Sequence, residues 1–98
     1  MIEDLGFVGI KILLALYSAK DSPGKMYIRE LLREAGISPS TIYRALSVLA
    51  DCGLIVYEKK YGRKFVILTA AGRQVAEHLY EADRILRESK ERRLKELE

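Results

Sequence analysis

Apolar side chains recur along the chain at helical spacing, after a first segment that is apolar throughout. Segment 5–19 is apolar on nearly every side of a helical wheel, which predicts a first helix buried on more than one face. A turn at Asp21-Ser22-Pro23-Gly24 and a very short strand at 26–28 are expected to follow. Apolar residues then return at the spacing i, i+3, i+4 and i+7, which predicts a second helix from Ile28 to Ala35. Gly36 supplies its left-handed end.

A third helix is predicted to begin at Ser38-Pro39. Ser38 can cap the free backbone amides, and Pro39 fits the first helical position. Ile37 can pack onto the helix from the preceding turn. The buried stripe consists of Ile42, Ala45, Leu46, Leu49 and Ala50, and Gly53 ends the helix. With about 100° between successive residues, the opposite face carries Ser40, Tyr43, Arg44, Ser47 and Asp51.

The last third of the chain predicts a hairpin and a long helix. Segments 54–58 and 65–69 are rich in β-branched and aromatic residues, and the connecting segment 59–64 is basic, with Gly62 allowing a tight turn. Residues 70–98 contain no proline and favour helix, which predicts a helix about 43 Å long. The preceding elements are too few to cover a helix of that length.

Composition bounds the fold and the class of partner. The chain has 98 residues, 49% hydrophobic and 32% charged, which predicts one soluble globular domain over 1–98 with a mainly helical α+β fold. The net charge is only +3, but residues 24–73 hold nine basic and four acidic side chains. This concentration of positive charge in the second helix, the third helix and the hairpin favours a polyanionic partner.

Two helices joined by the three-residue turn 36–38 form a helix-turn-helix arrangement. Its second helix fits the major groove of double-stranded DNA, where Arg44 is the best candidate to recognise guanine with two hydrogen bonds. The predicted DNA-binding residues are Ser40, Thr41, Tyr43, Arg44 and Ser47 of the third helix, and Lys59, Lys60, Arg63 and Lys64 of the hairpin. The alternative is that these side chains only solubilise the surface of an ordinary α+β domain, which leaves the basic hairpin unexplained.

The last helix carries an apolar stripe with the spacing of a short coiled coil. Val75, Leu79, Ala82 and Leu86 follow one another at steps of 4, 3 and 4, although Lys90 interrupts the stripe. Such a stripe can also be intramolecular core, but the length of the helix favours packing against a second copy. The predicted homodimer interface joins the first and last helices through Leu5, Val8, Ile12, Val75, Leu79, Ala82 and Leu86.

The sequence contains no pattern typical of an enzyme. It lacks a P-loop, a glycine-rich dinucleotide turn and a serine nucleophile elbow, so we expect neither catalysis nor a cofactor. His78 with Glu77 and Glu81 could bind a metal only if two subunits combined ligands, and an exposed helical histidine is the preferred interpretation. Cys52 could be a redox switch, but a small buried side chain is preferred, because Asp51 beside it opposes a thiolate.

Cysteine usage and the N-terminus predict a cytoplasmic protein. A lone cysteine cannot form an internal disulfide, and the first four residues are acidic where a signal peptide is basic. The longest apolar run, fifteen residues with Lys11 inside it, is shorter than the roughly 20 residues of a membrane span, so no membrane partner is expected. The chain contains no Asn, one Gln and ten Glu, a bias found in proteins from hot environments.

The chain resembles the winged helix-turn-helix regulators of the MarR and PadR type over nearly its whole length. The resemblance lies in the order of elements and in segments 40–46, 53–55 and 68–73 (Ser-Thr-Ile-Tyr-Arg-Ala-Leu, Gly-Leu-Ile and Leu-Thr-Ala-Ala-Gly-Arg). It implies that the third helix reads DNA, that 59–64 is the wing and that 70–98 is a dimerisation helix. The chain is shorter than most MarR proteins and shows no ligand-binding region, so no small-molecule effector is implied.

The sequence therefore predicts a homodimeric, sequence-specific regulator that binds double-stranded DNA. A repressor is expected, because a bare dimer can occlude a promoter without contacting polymerase. Two alternatives stay open at this point. One is a nonspecific architectural or chromatin protein, which the same basic wing would serve, and the other is a winged-helix protein-interaction module.

Overall fold

A computed structural model describes residues 1–20 and 22–97. A 3₁₀ turn at Ile2–Leu5 leads into helix α1 at Gly6–Tyr17, strand β1 at Lys25–Tyr27 and helix α2 at Ile28–Ala35. Helix α3 at Pro39–Asp51, strands β2 at Ile55–Lys60 and β3 at Arg63–Leu68, and helix α4 at Ala70–Glu96 complete the chain. The predicted order and the mainly helical class are confirmed. Two predicted positions, Asp21 of the first turn and Glu98 at the end of the last helix, lie outside the described residues.

The three strands form one antiparallel sheet in the order β1-β3-β2. The hairpin strands are longer than predicted, because pairing continues through Lys59 opposite Lys64 and Lys60 opposite Arg63. Only Tyr61 and Gly62 remain as the turn, and both have positive φ angles, 53° and 72°. Positive φ at both central residues is the geometry of a type I′ turn, which matches the twist of a hairpin. Four residues of the basic segment 59–64 are therefore paired in strands, whereas the sequence predicted the whole segment as the connection between them.

Helix α1 lies at the centre of the core. It packs against α2, α3 and α4, and its Ile12, Leu13 and Leu16 are completely buried. The other fully buried large side chains come from the surrounding elements and are Leu31, Ile42, Leu46, Leu49 and Val66. The apolar faces of α1 are thus covered largely by other elements of the same chain. Ile12 is completely buried and Leu5 is only 8% exposed, so these two predicted interface residues have almost no surface left for a second copy.

The ends of the helices differ in part from the sequence prediction. Gly36 ends α2 with φ 64° and Pro39 starts α3, as predicted. Ser38, however, does not cap α3, since its hydroxyl bonds the hydroxyls of Ser40 and Thr41 at 3.2 and 2.9 Å rather than a backbone amide. Thr69 caps α4, which the sequence did not predict.

Thr69 joins the start of α4 to the end of the α3 segment. Its hydroxyl oxygen accepts a hydrogen bond from the Gly72 amide at 3.0 Å and donates one to the Gly53 carbonyl at 2.6 Å. At Gly72 the helix lies so close to the chain that a Cβ atom would overlap the carbonyl group of Leu54. These contacts hold the start of α4 against the segment that joins α3 to β2.

Helix α4 makes the molecule long. The principal extents are 53, 27 and 25 Å, and beyond Arg84 every described side chain of α4 is exposed. Within the described part of the chain, no helix has the length and apolar character needed to cross a membrane.

Candidate nucleic-acid interface

One face of α3 is free of contacts with the core. All five residues predicted to read DNA, namely Ser40, Thr41, Tyr43, Arg44 and Ser47, are exposed. Ile42, Leu46 and Leu49 on the opposite face are fully buried. The buried side chains therefore hold α3 in a fixed orientation, and its polar side chains are accessible to a partner molecule. Tyr43, in the first half of α3, is 56% exposed, so its hydroxyl is accessible to a partner.

The wing presents its four cations on two faces of a rigid ribbon. Side chains alternate along a strand, so the register places Lys59 and Lys64 on one face, and Lys60 and Arg63 on the other. Each pair holds two like charges directly opposite one another, an arrangement that disfavours the hairpin unless an anion lies nearby. All four side chains are exposed.

Aromatic rings hold several of these cations in place. The Lys64 ammonium lies 4.4 Å from the centre of the Tyr57 ring, and the Arg63 guanidinium lies 5.1 Å from that of Tyr27. Cation–π contacts of this length are attractive but leave the N–H donors free for another acceptor. Burial raises the pKa of the Tyr57 hydroxyl, and the negative charge of Asp51 raises it further. A tyrosine hydroxyl is already protonated at neutral pH, and this shift keeps it a hydrogen-bond donor at higher pH as well.

We call the exposed face of α3, with Ser40, Thr41, Tyr43, Arg44 and Ser47, the recognition face. A cleft of about 330 Å³ lies between this face and the wing. Its lining contains three cations and two phenols but no carboxylate: Tyr27, Ile28, Arg29, Tyr43, Arg63 and Lys64. Arg29 was absent from the predicted site, because its position on α2 gives no sign in sequence that it faces the start of α3 and the wing. The cleft has the chemistry of a binding site for a phosphate group.

The cations of this surface have no acidic partner among residues 1–20 and 22–97. The side-chain ion pairs there lie elsewhere and join Lys25 to Glu58, Arg84 to Glu81 and Glu88, and Arg87 to Asp83. Lys25 of β1 and Glu58 of β2 neutralise each other at 3.1 Å. Within this part of the chain, Arg29, Arg44 and the wing cations therefore form no ion pair, and their side chains face solvent.

The predicted dimer residues separate into three groups. Leu5 and Ile12 belong to the core, as described above, while Val8, Val75 and Leu79 are partly buried against it. Ala82 is exposed, as is Leu86 at 69%. Further apolar side chains that the sequence analysis did not assign to the interface are also exposed, namely Phe7, Ile85, Leu94 and Leu97.

The two other candidate residues lie outside this surface. Cys52 is exposed, so its interpretation as a buried side chain is wrong. It follows the last turn of α3 as the C-cap residue of the helix. His78 is exposed on α4, as its preferred interpretation required.

The helix-turn-helix region matches a known family. Residues 10–57, just under half of the chain, match the helix-turn-helix described as "bacterial regulatory protein, arsR family". The matched segment runs from α1 into β2 and contains the entire recognition face. The protein is a winged helix-turn-helix. The match is to the arsR family, and the MarR or PadR subtype implied by the resemblance is not confirmed.

Solved structures share this winged helix over most of its length. Sso10a-2, a DNA-binding protein from Sulfolobus solfataricus, is 21% identical with a TM-score of 0.67, covering 90% of this chain and 93% of that one. The transcriptional repressor BigR from Xylella fastidiosa is 23% identical with a TM-score of 0.66, covering 83% and 84%. A MarR-family transcriptional regulator from Silicibacter pomeroyi is 29% identical with a TM-score of 0.65, covering 98% and 73%. No curated protein sequence matches the chain significantly.

Proposed function

We propose that the protein is a homodimeric transcriptional repressor that recognises a specific sequence in double-stranded DNA. The observation that carries this proposal is the uncompensated positive surface formed by α3, the wing and Arg29. A surface of this kind costs stability through charge repulsion, and phosphate groups of DNA would relieve it. The known proteins of similar fold, a DNA-binding protein and a transcriptional repressor among them, support the same function.

Helix α3 supplies the sequence-reading element. Its exposed face is fixed by the buried stripe beneath it, so that Ser40, Thr41 and Arg44 would enter the major groove in one orientation. The planar guanidinium of Arg44 matches the two acceptors that guanine presents there. The cations of the wing and Arg29 would contact phosphates, which positions the helix without reading sequence.

Homodimerisation is supported by the exposed apolar residues of α4. Ile85 is 56% exposed and Leu86 is 69% exposed, and both lie where α4 extends past the domain. We propose that the interface combines this part of α4 with Val8, Leu79 and Ala82, while Leu5 and Ile12 stay within one chain. A dimer would present two recognition helices to two half-sites about one turn of DNA apart.

The dimer is tested with Leu86→Glu, because this side chain makes little contribution to the core of one chain. Sedimentation equilibrium should show a dimer for the wild type and a monomer for Leu86→Glu, with an unchanged circular dichroism spectrum. Gln74→Glu adds the same charge at an exposed position of α4 and should remain dimeric. A dimeric Leu86→Glu variant would contradict the proposed interface.

The specificity is tested by selecting bound duplexes from a random pool and comparing affinities at one salt concentration. A regulator should bind the selected duplex at least about 10³-fold more tightly than a scrambled one. Equal affinities would favour the architectural alternative, and no binding at low salt would favour a protein-interaction module. Transcription in vitro from a promoter that overlaps the selected site should fall on adding the protein, whereas a rise would contradict repression alone.

A further inference from the structure

Helices α3 and α4 are linked by a short series of hydrogen bonds, which begins at the end of α3. The Gly53 amide donates to the Ala50 carbonyl at 3.0 Å. The Leu54 amide donates to the Leu49 carbonyl, also at 3.0 Å. The segment that follows α3 is therefore fixed to the last turn of that helix.

Thr69 fixes the same segment to the first turn of α4. Its hydroxyl donates to the Gly53 carbonyl at 2.6 Å, and its amide donates to the Leu54 carbonyl at 3.0 Å. The hydroxyl oxygen in turn accepts a hydrogen bond from the Gly72 amide at 3.0 Å. The other hydrogen bonds in this series join backbone groups, so Thr69 is the position at which a substitution breaks the link.

The junction between the two helices is also closely packed. At Gly72, a Cβ atom would overlap the carbonyl group of Leu54, so α4 approaches this segment as closely as a backbone allows. Both helices pack against α1 as well. Apolar packing is non-directional, whereas hydrogen bonds have preferred angles. The bonds at the junction therefore restrict the angle between α3 and α4 in a way that packing on α1 does not.

A small rotation at the junction is amplified along α4. Leu86, in the part of α4 that we assign to the dimer interface, lies fourteen residues after Gly72, which corresponds to about 21 Å of helix. A rotation of about 10° at Gly72 would displace Leu86 by about 4 Å. This displacement is comparable with the rise of about 3.4 Å per base pair of DNA. The angle at the junction thus determines which separation of two half-sites a dimer can span.

We propose that the Thr69 hydroxyl is a positioning group that sets the separation of half-sites accepted by the dimer. The inference rests on the proposed homodimer and its DNA binding, and it adds a residue that acts through the two helices it joins. A rigid dimer gains avidity when both half-sites are in register, and loses it when the geometry forbids simultaneous contact. A looser junction should lower the affinity at the best separation and raise it at the others.

The test measures affinity for duplexes that carry two selected half-sites with one to five base pairs inserted between them. The wild type should lose at least about 100-fold in affinity when five base pairs, half a turn of DNA, are inserted. Thr69→Val keeps the shape of the side chain without the hydroxyl and should lose only about tenfold. Thr69→Ser keeps the hydroxyl and should match the wild type. All three proteins should bind a duplex with one half-site equally well, because the recognition face is unchanged.

Two further variants separate positioning from stability. Val66→Ala shortens a fully buried side chain outside the junction, so it should lose stability and keep the wild-type dependence on separation. Gly72→Ala displaces α4 by steric overlap and should shift the best separation by about one base pair. It replaces Thr69→Val if that variant proves too unstable to measure, and an unchanged best separation would then overturn the inference.

The possible failures of the inference and of the proposed function differ. A dependence on separation in Thr69→Val equal to that of the wild type would overturn the inference and leave the proposed function intact. The same relaxed dependence in Thr69→Ser or Val66→Ala would also overturn it, as would a wild type that binds two half-sites equally well at every separation. A wild type that binds no duplex would overturn the proposed function as well.

Discussion

The cations of the wing should make the affinity for DNA depend steeply on salt concentration. Replacing Lys60 by Gln removes one of four uncompensated wing cations and leaves a side chain of similar length. If the four wing cations and Arg29 contact phosphates in each subunit of a dimer, about ten counterions are released on binding, and log K falls against log salt with a slope near −9. Lys60→Gln removes two of these contacts, so its slope should be close to −7.

The same substitution should slightly stabilise the protein. Lys60 lies directly opposite Arg63 in the hairpin, and like charges in this position oppose pairing. Removing one of them should raise the free energy of unfolding by a few tenths of a kcal/mol, on the order of 0.2–0.5 kcal/mol. Weaker binding by the variant would therefore not result from partial unfolding.

Fluorescence anisotropy with a labelled duplex between 50 and 200 mM salt measures the slope. Over this range the wild type should lose affinity by about 10⁵-fold and Lys60→Gln by about 10⁴-fold. Lys90→Gln on α4 is the matched control, since it removes the same charge from an exposed site away from the wing, and its slope should equal that of the wild type. A slope for Lys60→Gln that equals the wild-type slope would refute phosphate contact by this residue.

Two further predictions concern the junction at the start of α4. Gly72→Ala should lower the free energy of unfolding by about 2–3 kcal/mol, because its Cβ would overlap the Leu54 carbonyl, although helix propensity alone favours Ala. Denaturant unfolding, with Gln74→Ala as the control, measures whether the free energy of unfolding falls or rises. A Gly72→Ala variant that is more stable than the wild type would contradict the close contact between Gly72 and the Leu54 carbonyl. Thr69→Val, which loses the cap and the bond to Gly53, should cost about 1–2 kcal/mol, while Thr69→Ser should cost much less. Equal thermal unfolding of the Val and Ser variants would show that the hydroxyl does not matter.

Periodicity was sufficient to predict the helices and the exposed face of α3. Apolar residues at helical spacing face the core, so helical geometry alone predicts that the residues on the opposite side, such as Tyr43 and Arg44, are exposed. The stop at Gly36 and the start at Pro39 follow from backbone preferences in the same way. These features depend only on residues close in sequence.

Features that depend on distant residues were missed or misjudged. Ile12 was assigned to a partner because its helix is apolar on every side, but α2, α3 and α4 cover that helix within one chain. Arg29 joins the wing across a cleft only after β1 pairs with β3. Thr69 bonds Gly53, sixteen residues earlier, so local patterns gave no indication of that contact.

The pairing of the hairpin also exceeded what its sequence suggested. Segment 59–64 was predicted as an unpaired connection because it has four cations in six positions, and like charges disfavour cross-strand pairing. The strands nevertheless continue to Lys60 and Arg63, because two residues with positive φ suffice to reverse the chain. The cations are consequently held at fixed spacing along a ribbon, which a flexible loop would not achieve.

The central claim is that α3 reads sequence through Arg44, and one measurement tests it directly. Affinities of the wild type, Arg44→Ala and Arg44→Lys are measured at one salt concentration on the selected duplex, on versions changed at single base pairs, and on a scrambled duplex. Arg44→Ala should lose about 1–3 kcal/mol on the selected duplex, much less on the scrambled one, and all preference at one guanine. Arg44→Lys keeps the charge without the planar donor pair and should lose the same preference. Equal losses on the selected and scrambled duplexes would contradict the claim.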